Sequence, residues 1–377
     1  MSEFQYVGFR AIDRPVSEEN LEYMRRQSSR AEITPCSFDN EYHYGDFRGN
    51  AMEMLRRGFD IHLHYANFGI RKLLIRLPYG LPDARAAKPY LGKDSVQFSK
   101  DKQGTGGILP IEPFHEPGDL EDLWEIEGII DRLVPLRAEI LDGDLRPLYL
   151  AHLALGCDSQ HDPEETTEAP VPAGLRTLSD AQRGLAELYG LDEALIAAAA
   201  QESPAMPVRA DSSALYTEWL RVQHETKKNA WLTAWMTDQT SPVRAKILAK
   251  YKFDCGIPTW PTVCPNRTIA GLQVAAADTA REAQRRAAAD AARRHAKRLA
   301  DMAADPDATL RETEQLVAER TSAAYRRIGE LLSDLREALS NSGRSTLVEK
   351  HAKKLKAANP TLRLLTSELR RHGFASK

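Results

Sequence analysis

The stretch 267–339 constrains this chain most, because it reads as two long helices with almost no loop between them. In the first, Ile269, Leu272, Ala276, Ala280, Ala283, Ala287 and Ala291 recur at steps of three and four, the spacing of one helix face. The stripe then shifts one place to Ala292, Ala296, Leu299 and Ala303, and its small residues suit close approach by another helix. Asp305-Pro306-Asp307 supplies a stop and a restart, with Asp305 as N-cap and Pro306 at the first helical position. The second helix repeats Leu310, Val317, Ala324, Ile328, Leu331, Leu335 and Ala338 in a near-heptad rhythm. It ends before Gly343, which can take a left-handed cap. Each helix would run roughly 50 Å at the usual rise. The expected arm is an antiparallel coiled-coil hairpin over 263–340, a device for reach rather than chemistry.

The other faces of the first arm helix hold Arg285, Arg286, Arg293, Arg294, Lys297 and Arg298. On a helical wheel they spread over a broad face, which suits phosphate contact without base reading. They are the candidate nucleic-acid-binding residues. The tail from 343 adds nine Lys or Arg against two Glu, and residues 111–170 hold sixteen acids against three arginines. This polarity fits an acidic partner, an internal match, or solubility.

Ahead of the arm the chain divides into four parts. Residues 1–110 read as a small β-α-β-α-β unit. Residues 4–12 alternate as a half-buried strand, Ser17 caps a short helix, and 33–44 are extended. Asn50 then caps a helix carrying Met52, Leu55, Phe59, Leu63 and Ala66 up to Gly69, and 70–77 form a strand. Such an order implies crossovers between parallel strands. A further short strand is expected at 107–111. Residues 111–157 read as an acidic helical segment and 158–174, without large apolar groups, as a disordered linker. A helical bundle follows at 175–262, with a capping box at Ser179 and Gln182. There Trp231 and Trp235 lie four apart on one face, the pattern of a core. Two short helices form the basic tail 341–377. The fold class expected is α+β, the C-terminal part being almost wholly helical.

Signs of chemistry are sparse. Glu41 and His43 alternate on a strand, Asp46 follows in a turn, and His62 and His64 sit in the next helix. Those residue types could hold a divalent metal or supply an acid–base pair, as in a metal-dependent hydrolase. Gly104-Thr105-Gly106-Gly107 lacks the Lys-Ser/Thr of a phosphate loop. Cys36, Cys157, Cys255 and Cys264 form no CxxC pair, which fits a reducing compartment better than a disulfide framework. The start carries no apolar leader and no apolar run is long enough for a membrane span, so a cytoplasmic protein is expected. No cofactor is expected, and no enzyme signature stands out.

The segments FQYVGFRAIDRPVSEE (4–19), SSRAEITP (28–35) and NEYHYGDF (40–47) resemble a family of bacterial proteins to which no activity is assigned. RTIAGLQVAAADTAREAQRR (267–286) and YRRIGELLSDLREAL (325–339) are similar to that family's C-terminal part. The resemblance implies neighbours of the SWIM-type zinc-finger class, and hence a multi-protein system. The function expected is a non-enzymatic scaffold or adaptor that binds a protein partner. Self-association through the arm and nucleic-acid binding are its alternatives in partner.

Overall fold

Seven strands form one antiparallel sheet in the N-terminal region. The computed structural model describes residues 3–78, 80–91, 98–102, 106–118, 123, 126–157, 161–206, 212–237, 243–255, 260–340 and 343–374. β1 (Gln5–Arg10) leads to α1 (Glu18–Gln27), β2 (Glu32–Ile33), β3 (Ser37–Tyr42) and α2 (Ala51–Arg57). β4 (Ile61–Ala66), β5 (Ile70–Leu77), α3 (Ala84–Ala87), β6 (Ser99–Lys100) and β7 (Gly107–Ile111) follow. The sheet order is β2-β3-β1-β4-β5-β7-β6, and each neighbouring pair is antiparallel.

The fold is α+β, as expected, but the β-α-β-α-β unit lacks, among the described residues, the parallel crossovers its order implied. Its expected second helix stops at Arg57, where Gly58 takes a φ of 150°, and 61–66 form a strand between β1 and β5. Met52, Leu55, Phe59 and Leu63 satisfy a helical period, but Ile61, Leu63 and Tyr65 satisfy a period of two, and the sheet selects the second. β4 and β5 join through 67–69, with Gly69 at φ 109° and its Cα against the His115 carbonyl, so no Cβ fits there.

Alternation then divides the side chains between two faces. Val7, Phe9, Phe38 and Leu74 meet Leu21 and Met24 of α1 and Met54 and Leu55 of α2. Tyr6, Leu63, Leu73, Ile75 and Leu109 face a larger helical layer. That layer comprises α4 (Ile126–Leu133), α5 (Pro135–Leu141), α6 (Arg146–Gly156), and, after the two-residue strand β8 (Val171–Pro172), α7 (Asp180–Leu188) and α8 (Glu193–Glu202). Ser179 and Gln182 make the expected capping box on α7.

The disordered linker expected at 158–174 is also replaced by fixed structure from 161 onward, residues 158–160 lying outside the described set. Glu168 is 4 % exposed; its carboxylate accepts from Tyr149 Oη at 2.5 Å and from the Arg267 guanidinium. Ala169 donates to His152 Nε2 at 3.0 Å, and β8 pairs with β9 (Thr262–Val263). One buried carboxylate anchors a stretch that has few large apolar groups to bury.

Helices α9 (Ser212–Val222), α10 (Glu225–Thr237) and α11 (Val243–Asp254) precede α12 (Ile269–Ala304). α13 (Pro306–Glu319), α14 (Ser322–Ala338), α15 (Ser345–Ala358) and α16 (Arg363–Arg371) complete the chain. Two compact units result, Met1–Ala280 and Arg281–Lys377. The first includes Ile269, Leu272 and Ala276 of α12 in its core. The second has its own core, where Leu310, Val317, Ile328, Leu332, Leu335, Val348, Leu355, Leu365 and Leu369 meet.

The long hairpin takes a different form. Asp305 caps α13 by accepting from Ala308 N, as expected. The second arm helix, however, breaks at Arg320, which is left-handed at φ 53°, and Thr321 caps α14 through Ala324 N. The step from Val317 to Ala324 crosses this break, so the near-heptad rhythm belongs to two helices of a small bundle. Ala283, Ala287 and Ala291 are exposed rather than packed in a seam.

Candidate functional site

α9, α10 and α11 gather the aromatic residues of the middle region. Trp219 is 7 % exposed and stacks on Trp231, with ring centroids 5.8 Å apart and an interplanar angle of 20°. Tyr251 meets Trp219 edge-on at 5.5 Å and Tyr216 at 4.7 Å. Trp219 Nε1 donates to Asp254 Oδ2 at 3.1 Å, and Lys250 Nζ reaches the other oxygen at 2.8 Å. That lysine, then the indole, lower the Asp254 pKa. The indole N–H is thus satisfied, as a buried tryptophan requires.

Trp231 closes this cluster and Trp235 does not join it. The core expected for both is corrected: Trp231 is half-buried against Trp219, which Tyr251 meets edge-on, and Trp235 is exposed. No residue of α10 is fully buried. Leu232 is 57 % exposed, Trp235 69 % and Met236 75 %. At 100° per residue these three share one side of the helix, beside Trp231. The breadth of this stripe, two adjacent apolar rows on a short helix, was its legible signal.

The candidate metal residues are not brought together. Glu41 and His43 lie 3.8 Å apart, both well exposed. Glu41 pairs with Tyr6 on one face of the sheet, whereas His62 pairs with Phe9 on the other. His62 stands on a strand, stacks on Phe9 at 4.2 Å, and donates from Nδ1 to the Gly8 carbonyl at 3.0 Å. Burial above all holds its pKa down to about 3, so the ring is neutral. Asp46 accepts from Gln5 Nε2 at 2.9 Å, and Gln5 Oε1 bonds His64 Nε2 at 2.9 Å. Among the described residues no three His, Cys, Asp or Glu are grouped to hold an ion.

Along α12, Arg285, Arg286, Arg293, Arg294 and Lys297 are exposed, and Arg298 is half-buried. Arg286 pairs with Glu282 at 2.6 Å, Arg293 with Asp290 at 4.0 Å, and Arg298 with Asp334 at 2.6 Å. An open groove of about 430 Å³ lies beside Arg294, Lys297 and Arg298, but Asp301, Asp305 and Glu312 line it too. Carboxylates therefore interrupt the basic face. Of the glycine-rich loop, 104 and 105 lie outside the described residues. Cys36, Cys157, Cys255 and Cys264 form no disulfide with one another. Among the described residues no helix is long and apolar enough to cross a membrane.

Compared with protein-family models, with curated proteins and with solved structures, the chain gives no match.

Proposed function

We propose that this protein is a non-enzymatic scaffold or adaptor of a cytoplasmic multi-protein complex, and that α10 is where it holds a protein partner. The exposure of Leu232, Trp235 and Met236 on one side of α10 carries the reading. Isolated exposed apolar residues are ordinary, but a contiguous stripe containing a tryptophan has the composition of an interface centre. Burying what remains exposed of three such side chains contributes roughly 4 kcal/mol before the cost of association. The stripe supplies an anchor, and a polar rim must add the rest of the binding energy.

The experiment is affinity isolation of the full chain from its own cells, with and without Trp235→Ser. A stoichiometric partner retained by the wild type and lost by the variant supports the reading; a partner indifferent to Trp235 counts against it. Because Trp235 is exposed, the variant should keep the native circular dichroism spectrum.

A second reading, phosphate contact along α12, draws on the exposure of Arg285, Arg294 and Lys297. It predicts retardation of DNA or RNA at low salt that fades steeply as salt rises.

A further inference from the structure

The basic charge of the last two helices is largely unpaired. Residues 343–374 hold eight Lys or Arg against Glu349 and Glu368, a balance of +6. Among the described residues their ion pairs are Lys354 with Glu314 at 3.3 Å and Arg371 with Glu368 at 3.8 Å. On α16 the cations share a face. At 100° per residue Arg363, Ser367, Arg370 and Arg371 fall within an arc of about 100°, opposite the buried Leu365 and Leu369. All four are exposed, and Arg363 and Arg370 make no ion pair among the described residues.

α14 continues this face at the end of α16. An open groove of about 380 Å³ is lined by Arg326 and Glu330 of α14 and by Arg371 and His372. Packing fixes its far wall. The His372 ring lies against Gly329, where a Cβ would stand 2.5 Å from it, and the Arg336 guanidinium donates to the His372 carbonyl at 3.1 Å. Glu330 is taken by Arg327 at 3.6 Å, and Arg326 is exposed with no ion pair among the described residues.

The chemistry of this face selects its occupant. From Arg363 to Arg371 it runs about 12 Å, the reach of three or four phosphates along one strand of a duplex. Arg326, Arg363, Arg370 and Arg371 are all arginine, whose planar fork pairs phosphate oxygens two at a time. The described residues of 343–374 expose no Phe, Tyr or Trp, so single-stranded bases find no ring to stack on. Leu364 is their one exposed large apolar side chain, too little for the centre of a protein interface or for insertion into a bilayer. We propose that the α14–α16 face binds the phosphate backbone of double-stranded nucleic acid without reading its sequence. This goes beyond partner binding by α10 and does not depend on it.

The test uses the full chain and a fluorescein-labelled, mixed-sequence DNA duplex of about 20 base pairs, titrated by anisotropy across a salt series. Log affinity should fall linearly with log salt. Arg363→Gln with Arg370→Gln should reduce that slope by about two and weaken binding at low salt at least roughly tenfold. A duplex of scrambled sequence should bind within about twofold of the first. Circular dichroism checks that each variant is folded.

No duplex binding, a slope that Arg363→Gln with Arg370→Gln leaves unchanged, or a loss confined to Arg285→Gln with Arg294→Gln overturns the proposal. The last of these would place the contact on α12. Equal or tighter binding of an oligothymidine single strand, of polyglutamate, or of phosphatidylserine vesicles overturns it as well. None of these outcomes bears on the α10 reading, which Trp235→Ser tests by itself.

Discussion

Glu168 and Arg267, 99 residues apart in sequence, form an ion pair whose carboxylate side chain is fully buried. Tyr149 completes the cluster by donating to the same carboxylate, and burial followed by the Glu168 charge raises the phenol's pKa. The pair ties the polar stretch after α6 to the start of α12.

Glu168→Ala should leave the Tyr149 hydroxyl and the Arg267 guanidinium without their acceptor. Breaking a buried pair typically costs ~3–5 kcal/mol. Arg267 is 22 % exposed and can recover some hydration, so about 2–4 kcal/mol is expected. Urea unfolding of the first unit measures it, and limited proteolysis should cut faster around 161–174.

One buried histidine and two half-buried ones make acid stability steep. Burial is the main cause holding His62 down to about 3, and His64 and His152 to about 4. The unfolded chain takes up these protons near pH 6.5, whereas the folded chain resists them until far lower. Their contribution is fully present above pH 6.5 and is lost as pH falls toward 4 and below. Near pH 5 the slope from these groups should be about 4 kcal/mol per pH unit. His64→Gln keeps a donor for Gln5 and removes one titrating group, so the slope should fall by about a third. Chemical denaturation between pH 7 and pH 4.5 checks this.

The break between α13 and α14 can be tested at Arg320. In a left-handed residue, Arg320→Gly should be neutral or stabilising by up to ~1 kcal/mol, while Arg320→Ile should cost ~1–2 kcal/mol. A continuous helix would reverse the first result, glycine costing ~1 kcal/mol. Thermal melts of the two variants decide between them.

Ala283 and Ala287 are exposed on α12. Replacing both with leucine should therefore change stability within about ±0.5 kcal/mol per site, as should replacing Arg285 and Arg286 with glutamine. A fall in melting temperature for the leucine pair would restore the packed seam that the spacing suggested.

Local signals carried much of the fold. The capping box of Ser179 with Gln182 and Asp305 with Pro306 each specify their own backbone and appear as read. The alternation of 4–12 gives the expected strand, though it is buried on both faces rather than half-buried, because helices cover each side of the sheet. The residues at 61–66 did not, because a short apolar run satisfies both periods until its sheet neighbours are known. Gly58 was the one local mark of the boundary. Strand pairing, the anchoring of Glu168 by Arg267, and the separation of Glu41 from His62 depend on residues distant in sequence. The Trp231 and Trp235 spacing gave a shared side but not what lies against it.

The most direct test of the central claim is native mass spectrometry of the protein isolated from its own cells, wild type beside Trp235→Ser. The account predicts a wild-type species heavier than the chain by one discrete partner, and the bare chain for the variant. Identical spectra from the two proteins would contradict it.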